Sequence, residues 1–125
     1  MNVVYDAGML VAADRNDRRA WAEHRARLEI GLTPIVSAPV VAQTGRSGKQ
    51  AQLRRLLRGC EIVAFAPQEA HRVGALLGAS RTTDAIDAHV ATLAFDHDAV
   101  VITSDTGDLE RLSACLPTPI HIEQA

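Results

Sequence analysis

Short β-branched runs alternate with longer stretches of helical periodicity along the whole chain, the pattern of an open α/β sheet wound by crossover helices. Asn2-Val-Val-Tyr5 reads as the first strand, Ala7–Ala13 as a helix starting directly after Asp6, and Asn16 to about Ile30 as a long helix. That helix should turn Trp21 and Leu28 toward the core and stop at Gly31. Pro34–Ser37 reads as a short strand, and Pro39 suits the first turn of a helix ending near Gly45. Gly48–Arg58 is a basic helix closed by Gly59. Glu61–Phe65 follows as a strand, then Pro67–Gly78 and Thr83–His97 as helices. Ala99-Val-Val-Ile-Thr103 is the clearest strand of all. A helix from about Thr106 to Cys115 and a last strand near Ile120 complete the pattern. Connections are short throughout, so the expected fold is a three-layer α/β/α domain around a mainly parallel sheet of four or five strands.

A chain of 125 residues accommodates one domain, expected to span 1–125. Hydrophobic residues make up 47% and aromatics only 3%, so the core must be aliphatic and an aromatic base-stacking platform is disfavoured. Cys60 and Cys115 stand far apart without C-x-x-C spacing, which argues against a zinc site or a disulfide framework and suits a reducing cytosol. No apolar run approaches a membrane span and Asp6 breaks any signal-type start, so the expected setting is soluble and cytoplasmic, with no membrane partner.

The net charge of −2 conceals two blocks. Residues 38–60 hold Arg46, Lys49, Arg54, Arg55 and Arg58 and no acid, whereas residues 84–125 hold eight acids against Arg111 alone. A basic helix beside an acid-rich site suits a metal-using enzyme that acts on a polyanion, with Arg46, Arg54, Arg55 and Arg58 as candidate contacts to its phosphates. A solvated helix face accounts for the same charges.

Where the aspartates fall is more telling. Asp6 closes the first strand and Asp105 lies just beyond Thr103, so both belong to the carboxyl edge of a parallel sheet, where sites in open α/β folds form. Capping explains each one singly, and Asp105-x-x-Asp108 resembles a capping box. Asp84 and Asp87, three apart on one helix surface, add two more carboxylates without a Lys or Arg in that helix. Converging carboxylates repel and raise one another's pKa unless cations lie between them. An oxygen-only donor set suits Mg²⁺ or Mn²⁺, which support in-line phosphodiester hydrolysis.

Other wound-sheet functions fit less well. A phospho-acceptor receiver lacks its late lysine, since Lys49 is the only one; a dehalogenase-type phosphatase lacks its second Asp, since position 8 is Gly8. Asp6-Ala-Gly-Met9 supplies no dinucleotide-binding turn. His24, His71, His89, His97 and His121 are scattered without ligand spacing.

The order Val3-Val-Tyr-Asp6, then Thr83-Asp84-Ala-Ile-Asp87-Ala-His-Val-Ala, then Val101-Ile-Thr-Ser-Asp105-Thr-Gly-Asp108-Leu resembles the PIN domain, and more narrowly the VapC toxins of bacterial type II toxin–antitoxin systems. The likeness spans essentially the whole chain, including the 18-residue interval between Asp87 and Asp105. It implies a Mg²⁺- or Mn²⁺-dependent endoribonuclease, usually a homodimer, held inactive by a cognate antitoxin. Asp6, Asp87 and Asp105 match the family's catalytic acids, and with Asp108 its metal-binding positions; Asp84 is an extra candidate, and Thr103 or Ser104 a candidate for orienting a water. One departure stands out: the family generally carries a Glu on the short helix after the second strand, where this chain has Gln43. A neutral amide oxygen removes one charge from the site. The alternative is therefore a PIN-like module that binds RNA or an antitoxin with weak turnover or none.

Overall fold

The computed structural model describes residues 1–125. Five strands form one sheet: β1 (Asn2–Tyr5), β2 (Ile35–Ser37), β3 (Glu61–Val63), β4 (Ala99–Thr103) and β5 (His121–Gln124). They lie in the order β3-β2-β1-β4-β5, and every pairing is parallel. Burial follows from this order. The central β1 and β4 are apolar almost throughout and bury nearly every residue, as strands covered on both faces must. The edge strands β3 and β5 are largely exposed.

Seven helices cover the two faces. On one side α1 (Ala7–Asp14) packs against α2 (Arg18–Glu29), α3 (Ala38–Thr44) and α4 (Ala51–Arg58). On the other, α5 (Pro67–Ser80), α6 (Ala85–Asp96) and α7 (Gly107–Ala114) pack against one another. Between the layers, 26 buried apolar residues form a single core. The three-layer architecture expected from the sequence is present, with five strands, all of them parallel.

Several boundaries shift for local reasons. Asn16 takes a left-handed conformation (φ 58°), so the chain turns there and α2 begins only after Asp17, whose carboxylate caps the helix by accepting from the Ala20 amide at 2.9 Å. Gly31 (φ 80°) ends the turn after α2 as anticipated. The basic helix is shorter than its charge pattern suggested, because residues 45–50 form a turn in which the Gln50 side chain accepts from the Arg46 and Ser47 amides. Leu28 is a correction: it remains 39% exposed, while Trp21 is buried. Its place in the α2 packing goes to His24, whose Nδ1 is hydrogen-bonded to the Tyr5 hydroxyl at 2.9 Å, and to Trp21, whose indole donates to the Ala13 carbonyl at 3.0 Å. Both cysteines are free thiols, and no helix is long and apolar enough to cross a membrane.

Candidate functional site

Strand order reverses beside β1. β2 and β3 extend from one side of it, β4 and β5 from the other, and the crevice at the carboxyl ends of β1 and β4 is the natural place for a site. Register then brings the aspartates together. Tyr5 pairs with Ile102, and the Asp6 amide donates to the Ile102 carbonyl at 2.9 Å, which sets Asp6 beside Thr103. The Thr103 hydroxyl donates to Asp6 Oδ2 at 2.9 Å and accepts from the Asp105 amide at 3.1 Å.

Asp6 occupies the N-cap position of α1, yet its side chain makes no capping hydrogen bond. The carboxylate is instead buried, 7% exposed, and held by Thr103. Capping therefore does not account for Asp6. Asp84 is different: its carboxylate accepts from the Ile86 and Asp87 amides at 2.9 and 3.1 Å, so it is the cap of α6. Asp105 Oδ1 accepts from the Gly107 amide at 3.2 Å, a short turn ahead of α7. No reciprocal bond from Asp108 reaches back to Asp105, whose amide is taken by Thr103, so the expected capping box does not form. Thr103 is itself buried, and its hydroxyl lies within hydrogen-bond distance of both Asp6 Oδ2 and, at 3.1 Å, the Asp105 carbonyl oxygen.

Asp87 stands on the first turn of α6. Burial pushes its pKa up, and the charges of Asp84, Asp6, Asp108 and Asp105 push it further, to about 7. All five aspartates thus share one electrostatic neighbourhood, and no cation enters the balance. They do not form a finished cage, for no three Asp, Glu, His or Cys side chains lie close enough to share an ion. The donor chemistry nonetheless fits a hard divalent cation: carboxylate oxygens only, with like charge that a cation would relieve. Asp105 is exposed, and the Gly107 amide is the one protein group that donates to its carboxylate.

Gln43 sits half-buried near the end of α3 and is not hydrogen-bonded to any of these acids. The four basic candidates separate. Arg46 donates to the Ala42 and Gly45 carbonyls, closing the end of α3, while Arg54 and Arg58 lie beside Leu57 and Ile62. Arg55 points to the other side of α4, its guanidinium 4.4 Å from the centre of the Trp21 ring.

Two supporting contacts were not legible beforehand. Gly8 brings the first turn of α1 against Ser104: a Cβ at position 8 would fall on the Ser104 Oγ, 2.7 Å from its Cβ and 2.9 Å from its amide nitrogen. Ser37, buried at the end of β2, is hydrogen-bonded through Oγ to Nδ1 of buried His89 at 2.7 Å. That ring stacks edge-on against Phe65 at 4.9 Å, and the helix turn carrying Asp87 is thereby tied to the sheet edge. The alternation of apolar and polar residues carries no sign of either contact, because both join segments remote in sequence.

Residues 3–114 match the family model of the PIN domain. Among solved structures, the VapBC2 complex from Rickettsia felis, crystallised with a DNA fragment from its promoter, superposes with a TM-score of 0.72 at 18% identity. That alignment covers 100% of this chain and 99% of the other. FitAcB from Neisseria gonorrhoeae superposes with a TM-score of 0.65 at 16% identity, over 96% and 95% of the two chains. A Pyrobaculum aerophilum protein does so at 0.62 and 19% identity, over 97% and 90%. Likeness at such identities is likeness of fold. No curated protein sequence matches the chain.

Proposed function

The chain belongs to the PIN domain family, and on that footing we propose that it is a Mg²⁺- or Mn²⁺-dependent endoribonuclease acting as the toxin of a toxin–antitoxin pair. The observation that carries the reading is the gathering of five aspartates, without a cationic partner, where strand order reverses between β1 and β4. Likeness to VapBC2 and FitAcB supports the toxin–antitoxin setting and, with it, an antitoxin as protein partner.

In this reading Asp6, Asp87, Asp105 and Asp108 hold the cation, with Asp84 at the rim. A hard divalent cation there would neutralise the acids and polarise a scissile phosphate. The chain supplies the rest. Thr103 fixes the orientation of Asp6 and the turn that presents Asp105. The Asp87 carboxyl, poised near neutrality, carries a proton for much of the time at pH 7 and must release it before the oxygen can serve as a ligand. Metal loading should therefore steepen with pH between about 6 and 8.

The test is direct: purified chain, a mixed single-stranded RNA, and Mg²⁺ or Mn²⁺ against excess EDTA. Cleavage that requires metal and disappears in Asp87→Asn supports the reading; absence of cleavage with either metal overturns it. A binding module without turnover is the second reading, favoured by the neutral side chain at Gln43, and RNA retention without cleavage would select it.

A further inference from the structure

The basic helix does not act as one surface, and its most constrained member faces away from its neighbours. Arg55 meets Arg18 and Arg25 of α2, and these three, with Asn16 and Ala22, line a cleft of about 410 Å³ floored by Trp21. Trp21 is only 6% exposed, so it supports the cleft without offering an open stacking face. The Arg55 guanidinium lies over its ring and donates one bond to Gln52 Oε1 at 2.9 Å, which holds the fork in place with other N–H groups free. Positions 18, 22 and 25 recur at i, i+4 and i+7, so Arg18 and Arg25 share one face of α2.

None of the three arginines is neutralised. The ion pairs of the chain use Arg19, Arg27 and Arg72. A protein of net charge −2 thus keeps three guanidiniums around one concavity with no carboxylate partner. Like charges so arranged favour an anionic ligand, and planar forks match phosphate oxygens in pairs.

We propose that the Arg18–Arg25–Arg55 cleft between α2 and α4 binds the phosphodiester backbone of RNA, apart from the aspartate cluster. This rests on the reading of the chain as a ribonuclease. Five aspartates at the reactive edge repel a phosphate chain, so ground-state affinity has to come from elsewhere on the molecule. An acidic peptide is the competing occupant. It would want apolar anchor pockets, and the cleft offers only Ala22 and a buried indole.

Trp21 is the only tryptophan, so its emission reports on this cleft alone. The experiment titrates the Asp87→Asn protein with a 12-nucleotide oligouridylate in EDTA, reading Trp21 emission and the anisotropy of labelled RNA across a salt series. Saturable emission change is expected. Arg18→Gln, Arg25→Gln and Arg55→Gln, which keep part of the side-chain stem, should each weaken binding several-fold and flatten the log–log salt slope by about 0.7 per lost phosphate contact. The same changes in the otherwise unaltered chain should raise KM and leave kcat in place. Unchanged affinity and slope in the triple variant, with metal-dependent cleavage intact, overturns the cleft and spares the nuclease. Arginine-dependent RNA binding in a chain that never cleaves RNA upholds the cleft and removes the nuclease. Tighter displacement by a poly-glutamate peptide than by oligouridylate of equal charge overturns the cleft as an RNA site.

Discussion

Replacing Asp87 by Asn should stabilise the metal-free protein while abolishing cleavage, and the size of the gain can be worked from the site. Asp87 titrates near 7 in the fold against 3.8 unperturbed, chiefly because burial disfavours its charge and secondarily because Asp84, Asp6, Asp108 and Asp105 repel it. The folded state therefore holds a proton that the unfolded chain has already lost. The sign follows: below about pH 4 both states are protonated and Asp87 costs nothing, and the penalty grows as pH rises toward 7 and is complete above it. Three pKa units correspond to about 4 kcal/mol, and because the group is only half-buried, solvent screening brings this to about 2 kcal/mol. Asn has no charge to bury. In EDTA at pH 8, Asp87→Asn should melt about 6–10 °C above the parent, on the entropy of unfolding expected for a domain of this size, and the two should converge near pH 4. Salt should remove only part of the gap, since screening acts on the aspartate repulsion and not on desolvation. Thermal melts by circular dichroism at both pH values, with RNA cleavage measured in parallel, check this. Equal melting temperatures at pH 8 would refute the electrostatic account of the site, whatever the variant does to cleavage.

Thr103→Val removes the donor to Asp6 and the acceptor of the Asp105 amide, so it should cost about 1–3 kcal/mol in denaturant unfolding and weaken cleavage at limiting metal, while Thr103→Ser should restore both. Gly8→Ala places a methyl against Ser104, whose backbone cannot retreat as a side chain can, and should destabilise by about 1–3 kcal/mol; a melting temperature equal to the parent's would show that α1 shifts freely. Gln43→Glu, if α3 brings that side chain to the acidic cluster, should raise affinity for Mn²⁺ in a cleavage titration and lower metal-free stability together. A variant altered in neither places Gln43 outside the site.

Alternation of β-branched runs with helical stretches was enough to read the layers, since strands covered on both faces must be apolar throughout, and Val3–Tyr5 and Ala99–Thr103 obey that rule. Helix ends were less legible because they depend on single side-chain bonds: Asp17 on the Ala20 amide begins α2, and the Gln50 side chain on the turn at 46–47 delays α4. Leu28 misleads for another reason. Its spacing from Trp21 is helical, but the interior beside β1 is filled by a polar pair, Tyr5 and His24, with Arg27 donating to the Tyr5 hydroxyl at 3.1 Å. Hydrophobicity alone does not rank a histidine above a leucine for that place.

The site shows the same division between what position determines and what partners determine. That Asp6 and Asp105 stand at the same sheet edge was readable, because the strands of a parallel sheet end along one edge and only the register was lacking. What each carboxylate does there was not readable, since capping and clustering use the same residue at the same place. Asp84 caps and also repels Asp87; Asp6 stands at an N-cap and caps nothing, because Thr103 takes it first. The basic residues divide along helical angle in the same way. Arg54 and Arg55 are neighbours in sequence but about 100° apart around α4, so one joins Ile62 and the other Trp21. Arg55 then gains its companions from a different helix altogether. A run of positive charge along a chain therefore overstates one surface and conceals another, and the triple glutamine substitution across α2 and α4 tests the concealed one.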